Sequence, residues 1–211
     1  MSARELVFWD VDTQRDFMLP GGSLYVPGAE RMIPRLERLV NLAREGQLLL
    51  ISEVDAHTPN DPEFHDWPPH CVQGTPGQRK IPQTLTDDLL LIPNDSEFYL
   101  PRNLHVYKQI ILEKQTLDIF DNPNAEQILK RLGPEAEYCV FGVVTEYCVT
   151  FTVMGMLKRG CRVNVITDAI QALDEKEGRR AIADFLGAGA RLLQTEEAVA
   201  LAEAVGGPGV G

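Results

Sequence analysis

Three side chains with complementary chemistry follow three separate apolar segments of the chain. Asp12 comes after ELVFWDV, Lys114 ends VYKQIILEK, and Cys148 opens the apolar run CVTFTVMGML. A helix start and a nearby cation favour thiolate over thiol, and a carboxylate can accept the thiol proton. The backbone amides at the start of the helix could also hold an oxyanion. Together the three residues predict covalent catalysis, with Cys148 as the nucleophile.

Each of these residues also has an ordinary structural interpretation. A cysteine at the head of an apolar helix is commonly a small core residue, and a lysine or aspartate after a strand is commonly solvated or part of a turn. The other three cysteines show no CxxC spacing with Cys148 or one another, so reduced thiols are expected. The catalytic interpretation therefore depends on convergence of the three side chains at one edge of a sheet.

A second polar group lies in residues 51–77, ISEVDAHTPNDPEFHDWPPHCVQGTPG, which contain three of the four histidines. Asp55 and His57 are two residues apart, so an extended chain places both side chains on one side. With His70 they offer one carboxylate and two imidazoles, which suit zinc, iron or manganese and leave positions open for a ligand. From the residues alone, a hydrogen-bonded polar loop is an equally good interpretation.

The bulk composition narrows the class of protein and of partner. With 211 residues, 44% hydrophobic and 24% charged, the chain is expected to form one domain over residues 1–205, followed by a flexible tail at 206–211. The net charge of -11 argues against nucleic acid and anionic membranes, since both bind clustered Lys and Arg. Neither a membrane span nor a signal peptide is recognisable, so a cytoplasmic protein with a small-molecule ligand is expected.

Strand and helix patterns alternate along the chain. The predicted strands are 5–11, 47–54, 106–114, 137–144, 161–169 and 190–194, and the predicted helices are 28–45, 124–132, 148–160, 177–189 and 195–205. Alternation of this kind indicates an α/β domain with a mostly parallel central sheet. In such sheets ligands bind beyond the carboxyl ends of the strands, where Asp12, Lys114 and Cys148 are predicted to lie.

Three segments resemble the three blocks of the isochorismatase-like cysteine hydrolases, in the same order and over nearly the whole chain. They are DTQRDF at 12–17, the strand-ending Lys114, and GVVTEYCV at 142–149. The resemblance implies the three-layer α/β/α isochorismatase-like hydrolase fold and a triad that hydrolyses small amides. In that triad Cys148 is the nucleophile, Asp12 accepts and then returns the proton, and Lys114 gives electrostatic support.

The same resemblance implies how the reaction's oxyanion is held. Members of this family carry a cis peptide that here corresponds to the bond between Val143 and Val144. Its implied role is to turn the Val144 amide, together with the amide of Cys148, towards the oxyanion. Oligomers are also common in the family, so a homo-oligomer is expected, although a buried crossover helix explains the apolar run after Cys148 equally well.

The loop at 51–77 resembles the nicotinamidase branch of this family, which has D-x-H after the second strand and a segment very close to WPPHCVQGTPG. The resemblance implies that Asp55, His57 and His70 hold a divalent metal ion, with zinc expected and iron or manganese as alternatives. Water and the pyridine nitrogen of nicotinamide then take its remaining positions. Phe17 and Trp67 match aromatic residues that line the nicotinamide pocket, and aromatic walls suit a flat ring.

The sequence departs from that branch at two places. Some nicotinamidases have a further histidine a few residues after the D-x-H, at a place that here lies near Asp61, and His65 is not in clear register with it. KQTLDIFDNP, which follows the strand ending at Lys114, lacks the expected glycine and tyrosine and offers Phe120 as its aromatic residue. These departures do not affect the triad, and the predicted function is a nicotinamidase that acts through a cysteine thioester in NAD salvage. A related amidase for another small amide or ureido compound is the first alternative.

Two further alternatives come from other functional classes. A binding or carrier domain could keep the fold without catalysis, although retention of all three triad positions argues against it. A metal-dependent hydrolase would put the chemistry at Asp55, His57 and His70 instead of Cys148. It predicts that chelation abolishes activity while thiol alkylation leaves it intact.

Overall fold

Seven strands form one sheet in the computed structural model of the protein, which describes residues 5–205. The predicted flexible tail at 206–211 lies outside the described residues. The strands are Leu6–Val11 (β1), Leu49–Asp55 (β2), Leu89–Ile92 (β3), Gln109–Lys114 (β4), Glu137–Val143 (β5), Arg162–Gln171 (β6) and Arg191–Leu193 (β7). Their order is β3-β4-β2-β1-β5-β6-β7, and each neighbouring pair is parallel.

Helices cover both faces of the sheet. Arg15–Met18 (α1), Ile33–Arg44 (α2) and Thr195–Val205 (α6) pack on one face, and Pro123–Leu132 (α3), Cys148–Lys158 (α4) and Glu175–Gly187 (α5) pack on the other. The three-layer α/β/α arrangement predicted from the sequence is therefore confirmed. Within residues 5–205, none of the helices has the length and apolar character needed to cross a membrane.

The central strand β1 shows why the sheet is buried on both sides. Val7, Trp9 and Val11 belong to the core beneath α3, α4 and α5, whereas Phe8 belongs to the core beneath α2 and α6. Alternate residues of a strand point to opposite faces, so a near-continuous apolar run is what a strand covered on both faces requires. The strand is thereby fixed in the middle of the molecule, with Asp12 directly after its carboxyl end.

The predicted elements are present, with differences at their ends and two omissions. The one-turn helix α1 and the edge strand β3 were not predicted. Strand β3 is a four-residue segment in which Leu91 is 50% exposed. The predicted helix at 28–45 begins as a 3-10 turn, Ala29–Met32, before α2. The helix predicted at 195–205 has these same bounds, and the hydroxyl of Thr195, its first residue, donates to Asp168.

Candidate active site

The candidate site lies at the edge of the sheet where the central strands end. Asp12 follows β1, Asp55 is the last residue of β2, Lys114 is the last residue of β4, and Cys148 begins α4 after β5. Asp55 and Lys114 are paired directly across the two strands. Because the strands are parallel and adjacent in the order β4-β2-β1-β5, their carboxyl ends bring these four residues together.

Lys114 is the centre of this group. Its Nζ lies fully buried, donates to Asp12 Oδ2 over 2.8 Å and to Asp55 Oδ1, and lies 3.6 Å from Cys148 Sγ. Burial alone would lower the pKa of the ammonium group, but the charges of Asp12 and Asp55 outweigh it and raise the pKa well above its usual value. Lys114 is therefore a permanent cation between two carboxyl groups.

Asp12 is placed to exchange a proton near neutral pH. Burial and the neighbouring charge of Asp55 raise its pKa to about 7, against the opposing effect of Lys114. Its Oδ2 accepts from Lys114, whereas Oδ1 is buried and has no hydrogen-bond partner among residues 5–205. That free oxygen is available to accept a proton from a reacting group.

Cys148 does not carry the lowered pKa that the sequence predicted. Burial, with the charges of Asp12 and Asp55, raises the pKa of its thiol well above the usual value and outweighs the effect of Lys114. The prediction considered the helix start and the cation, but two carboxylates and complete desolvation act in the opposite direction. The resting sulfur is therefore a neutral thiol, which can ionise only by giving its proton to a base.

The segment between β5 and α4 has the backbone form expected from the resemblance. The peptide bond between Val143 and Val144 is cis. Val144 and Cys148 both line the cavity that contains the sulfur. The use of their amides to hold an oxyanion remains a prediction.

Asp55, His57 and His70 also come together, beside the group around Lys114. All three are buried, and one potential ligand atom from each lies within 4.8 Å of the others. Neither ring nitrogen of His57 has a hydrogen-bond partner within the described part of the chain. Buried polar atoms are normally paired, so the unpaired imidazole, a second imidazole and a carboxylate fit a divalent cation well.

Two acidic residues beside the histidines were not assigned these contacts from the sequence. Asp61 Oδ2 lies 3.2 Å from His57 Nδ1, close enough for a charge contact but without the geometry of a hydrogen bond, and Glu63 Oε1 lies 3.9 Å from His70 Nε2. His65 is exposed and lies outside the cluster. A signal for Asp61 existed in its spacing, because a turn places residues i and i+4 close together and Asp61 caps the 3-10 turn that follows it.

The loop that carries His70 is fastened to the start of α1 by polar contacts. Gln14 Nε2 donates to the backbone oxygens of Asp55 and Gln78, and Asp16 Oδ2 accepts from the amide of Cys71. At the end of the loop, Lys80 Nζ donates to buried Asp10 Oδ2 over 2.5 Å and to Thr13 Oγ1 over 2.7 Å. These contacts fix where an otherwise irregular loop begins and ends.

A narrow cavity connects the two groups of residues. Its wall includes the predicted Phe17 and Trp67, and Trp67 packs edge-to-face on Tyr147 with ring centroids 5.1 Å apart. The apolar side of the wall also contains three leucines that were not predicted as site residues, Leu24, Leu117 and Leu173. The volume is about 20 Å³, room for about one water molecule, so a ring-sized ligand requires side chains of the wall to move outward.

Comparison with known proteins gives relatives along nearly the full chain. The isochorismatase domain family matches residues 6–197. A nicotinamidase of Escherichia coli is 26% identical over 207 residues, covering 86% of this chain and 91% of the relative. A pyrazinamidase of Pyrococcus horikoshii in complex with zinc has a TM-score of 0.72 and 28% identity, covering 90% of this chain and 99% of that one.

The fold is shared with enzymes named for other substrates as well. The structure of an N-carbamoylsarcosine amidase from Thermoplasma acidophilum has a TM-score of 0.70 at 22% identity, and the match covers 91% of this chain and 97% of that one. At this level of identity the likeness concerns the fold alone. The family match includes every strand from β1 to β7 together with Asp12, Lys114 and Cys148, and the chain therefore belongs to the isochorismatase family.

Proposed function

We propose that the protein is a nicotinamidase, which hydrolyses nicotinamide to nicotinate and ammonia through a thioester on Cys148. One observation carries the proposal: a buried Asp-Lys-Cys group and a buried Asp-His-His group lie side by side, and Cys148 of the first and Asp55 and His70 of the second line one largely apolar cavity. The first group suits acyl transfer and the second suits binding of a metal-ligating ring. The names of the relatives in Escherichia coli and Pyrococcus horikoshii support the same substrate class.

In this proposal the reaction begins with proton transfer from the Cys148 thiol to Asp12. The sulfur then attacks the carboxamide carbon, and the amides of Val144 and Cys148 hold the negative oxygen of the tetrahedral intermediate. Asp12 returns the proton to the departing nitrogen, which leaves as ammonia. An Asp12 pKa of about 7 suits both directions of transfer, because a group used as base and then as acid works best near the working pH.

Hydrolysis of the thioester completes the cycle. Asp12, again ionised, removes a proton from the attacking water and passes it to the sulfur as the C–S bond breaks. The acid product loses the second proton of the water and leaves as nicotinate. Lys114 stays protonated throughout and offsets the negative charge that passes between sulfur and carboxylate. Because the proton moves only between groups within the site, the net charge of the site and its bound substrate stays constant until product leaves.

Asp55, His57 and His70 would hold the metal ion in this proposal. A divalent cation there supplies a Lewis-acidic partner for a ring nitrogen of the substrate. Phe17 and Trp67 would confine the ring on its flat sides, and orientation of the amide towards the sulfur would follow from these contacts. Zinc is the proposed ion, supported by the donor set and by the zinc complex of the Pyrococcus horikoshii pyrazinamidase.

Ammonia release from nicotinamide tests the proposal directly. Wild-type protein should release ammonia and nicotinate in equal amounts, lose activity after chelation, and regain it when zinc is returned. The same assay with alkylated protein separates this mechanism from a metal-dependent hydrolase, in which thiol modification leaves activity intact. Turnover that survives alkylation of Cys148 contradicts the proposal.

An amidase for a different small amide is the second candidate. It is favoured by Leu117 in the cavity wall, because the segment after Lys114 is where the sequence departs from the nicotinamidase pattern. A panel of pyridine, pyrazine and open-chain ureido amides distinguishes the two. Faster ammonia release from an open-chain ureido compound than from nicotinamide favours this second function.

A further inference from the structure

Glu53 is a fully buried acidic residue on β2 that the proposed reaction does not use. Its side chain accepts from Trp9 Nε1 over 2.8 Å, and the hydroxyl of Thr152 lies 2.9 Å from Oε1 and 3.0 Å from Oε2. Trp9, Glu53 and Thr152 are all 0% exposed. The carboxyl group therefore joins three elements, β1, β2 and α4, inside the core.

The position of Thr152 makes this link relevant to the sulfur. Cys148 is the first residue of α4, and Thr152 comes four residues later, so both lie on the helix face that packs on the sheet. Apolar contacts alone let a helix slide and rotate over a sheet by small amounts. The hydrogen bond of Thr152, one turn after Cys148, restrains both the sliding and the rotation of α4 at its first turn.

The backbone of the same residue holds the other reacting group. The amide of Asp12 donates to the carbonyl oxygen of Glu53 over 3.1 Å. Asp12 itself has a φ of 48°, which lies in the left-handed region. Such a conformation is uncommon for a residue other than glycine and has to be maintained by its contacts. Glu53 thus contacts the proposed base through its main chain and the helix of the proposed nucleophile through its side chain.

We propose that Glu53 is a positioning residue, which fixes the Cys148 sulfur relative to Asp12 and Lys114 by anchoring Thr152. The kinetic test of this inference rests on the proposed function, whereas the test by alkylation of Cys148 does not. Errors of about 1 Å in the placement of reacting groups can cost about a hundredfold in rate, so a buried anchor of this kind has a measurable effect.

Two substitutions of Glu53 separate geometry from charge. Glu53→Gln keeps an acceptor oxygen for Trp9 Nε1 and places an amide N–H beside Thr152, whose hydroxyl donates in the wild type and can turn to accept in the variant. Glu53→Leu has a similar size and keeps neither contact. We expect Glu53→Leu to lower kcat about tenfold or more with KM within about threefold, and Glu53→Gln to stay within about threefold of wild type. A Gln variant as slow as the Leu variant overturns the inference, because the hydrogen bonds would then not be what matters.

Thr152→Val tests the same link from the helix side and serves if Glu53→Leu does not fold. It should lower kcat by an intermediate factor, about three- to tenfold. Asn164→Leu is the matched control, because Asn164 makes a buried hydrogen bond to Glu137 over 2.8 Å at the opposite end of the sheet. If Asn164→Leu and Thr152→Val lower kcat equally at equal loss of unfolding free energy, Glu53 is merely structural and the inference is wrong.

The alkylation rate of Cys148 gives a readout that needs no substrate. Iodoacetamide modification followed by peptide mass spectrometry should be slowed by Glu53→Leu and Thr152→Val, and left unchanged by Glu53→Gln and Asn164→Leu. Equal rates in all four variants overturn the inference. A wild-type protein that releases no ammonia from nicotinamide contradicts the proposed function instead, and the alkylation rates still decide the role of Glu53.

Discussion

The Asp12-Lys114-Cys148 group and the Asp55-His57-His70 group are adjacent but are held in place in different ways. The first sits on the ends of β1 and β4 and the start of α4, elements fixed by the core on both faces of the sheet. In the second, only Asp55 belongs to a strand, and His70 depends on a loop fastened by side-chain contacts. The difference teaches that the loop with His57 and His70 can change while the sheet holds Asp12, Lys114 and Cys148, and that Asp55, which contacts Lys114, connects the two groups.

The largest expected effect comes from removing the sulfur. Cys148→Ala should lower kcat by more than about a thousandfold, since loss of an essential nucleophile typically costs far more, while binding of nicotinamide persists. Cys139→Ala, another buried cysteine on β5, is the control and should keep near-normal kcat. Residual turnover of Cys148→Ala above a thousandth of wild type would show that the first group does not supply an essential nucleophile.

A smaller effect, and on a different parameter, is expected from the metal group. His70→Ala should raise KM for nicotinamide by at least about tenfold, equivalent to about 1.4 kcal/mol, and lower kcat much less than Cys148→Ala does. His65→Ala, in the same loop but exposed, should leave both parameters unchanged. Steady-state kinetics with added zinc checks this, and a loss confined to kcat would show that the metal group takes part in the chemistry.

The pH dependence of Cys148 alkylation reports the electrostatic connection between the groups. Only ionised Asp12 accepts the thiol proton, so in metal-free protein the rate should fall as the pH drops below about 7. Zinc bound at Asp55 would offset the negative charge that helps raise the pKa of Asp12. Addition of zinc should therefore shift the pH at which the alkylation rate falls to a lower value. A pH dependence of the alkylation rate that zinc does not shift, or that persists in Asp12→Asn, contradicts this connection.

The smallest effect on the chemical step is expected from the pair that closes the loop. Lys80→Met leaves the buried Asp10 carboxylate without its counter-charge, although the hydroxyls of Thr13 and Ser52 still donate to it. Loss of the counter-charge should lower the unfolding free energy by about 3–5 kcal/mol. The double variant Asp10→Asn/Lys80→Met should recover most of that stability. Denaturant unfolding measures both, and the alkylation rate of Cys148 in the folded double variant should stay close to wild type.

The parallel sheet and the location of the first group could be predicted from the sequence because both follow from local patterns. Apolar runs that end in polar residues mark strand ends, and parallel strands bring those ends to one edge. The raised thiol pKa could not be predicted in this way. It depends on burial and on the distances of Asp12 and Asp55 from Cys148, which no spacing along the chain encodes.

The contacts around the histidines show the same limit. Glu63 and Lys80 lie in a loop without regular periodicity, so their partners depend on the path of the chain through space. The edge strand β3 was missed because LLLI is short and only partly buried, and such a run fits a loop equally well. The resemblance to a family identified His57 and His70, for which spacing alone left a polar loop as an equal interpretation.

Fastening at both ends gives the 58–80 loop a freedom that the sheet does not have. The side chain of Gln14 donates to the backbone of Asp55, just before the loop, and to that of Gln78, near its end. Lys80, the last residue of the loop, donates to Asp10. Mutations, insertions or deletions between these anchors can reshape the loop side of the cavity wall while Cys148 and Asp12 stay in place. An ancestral hydrolase built this way could acquire new substrates by exchanging one surface segment, with the inherited chemistry left intact.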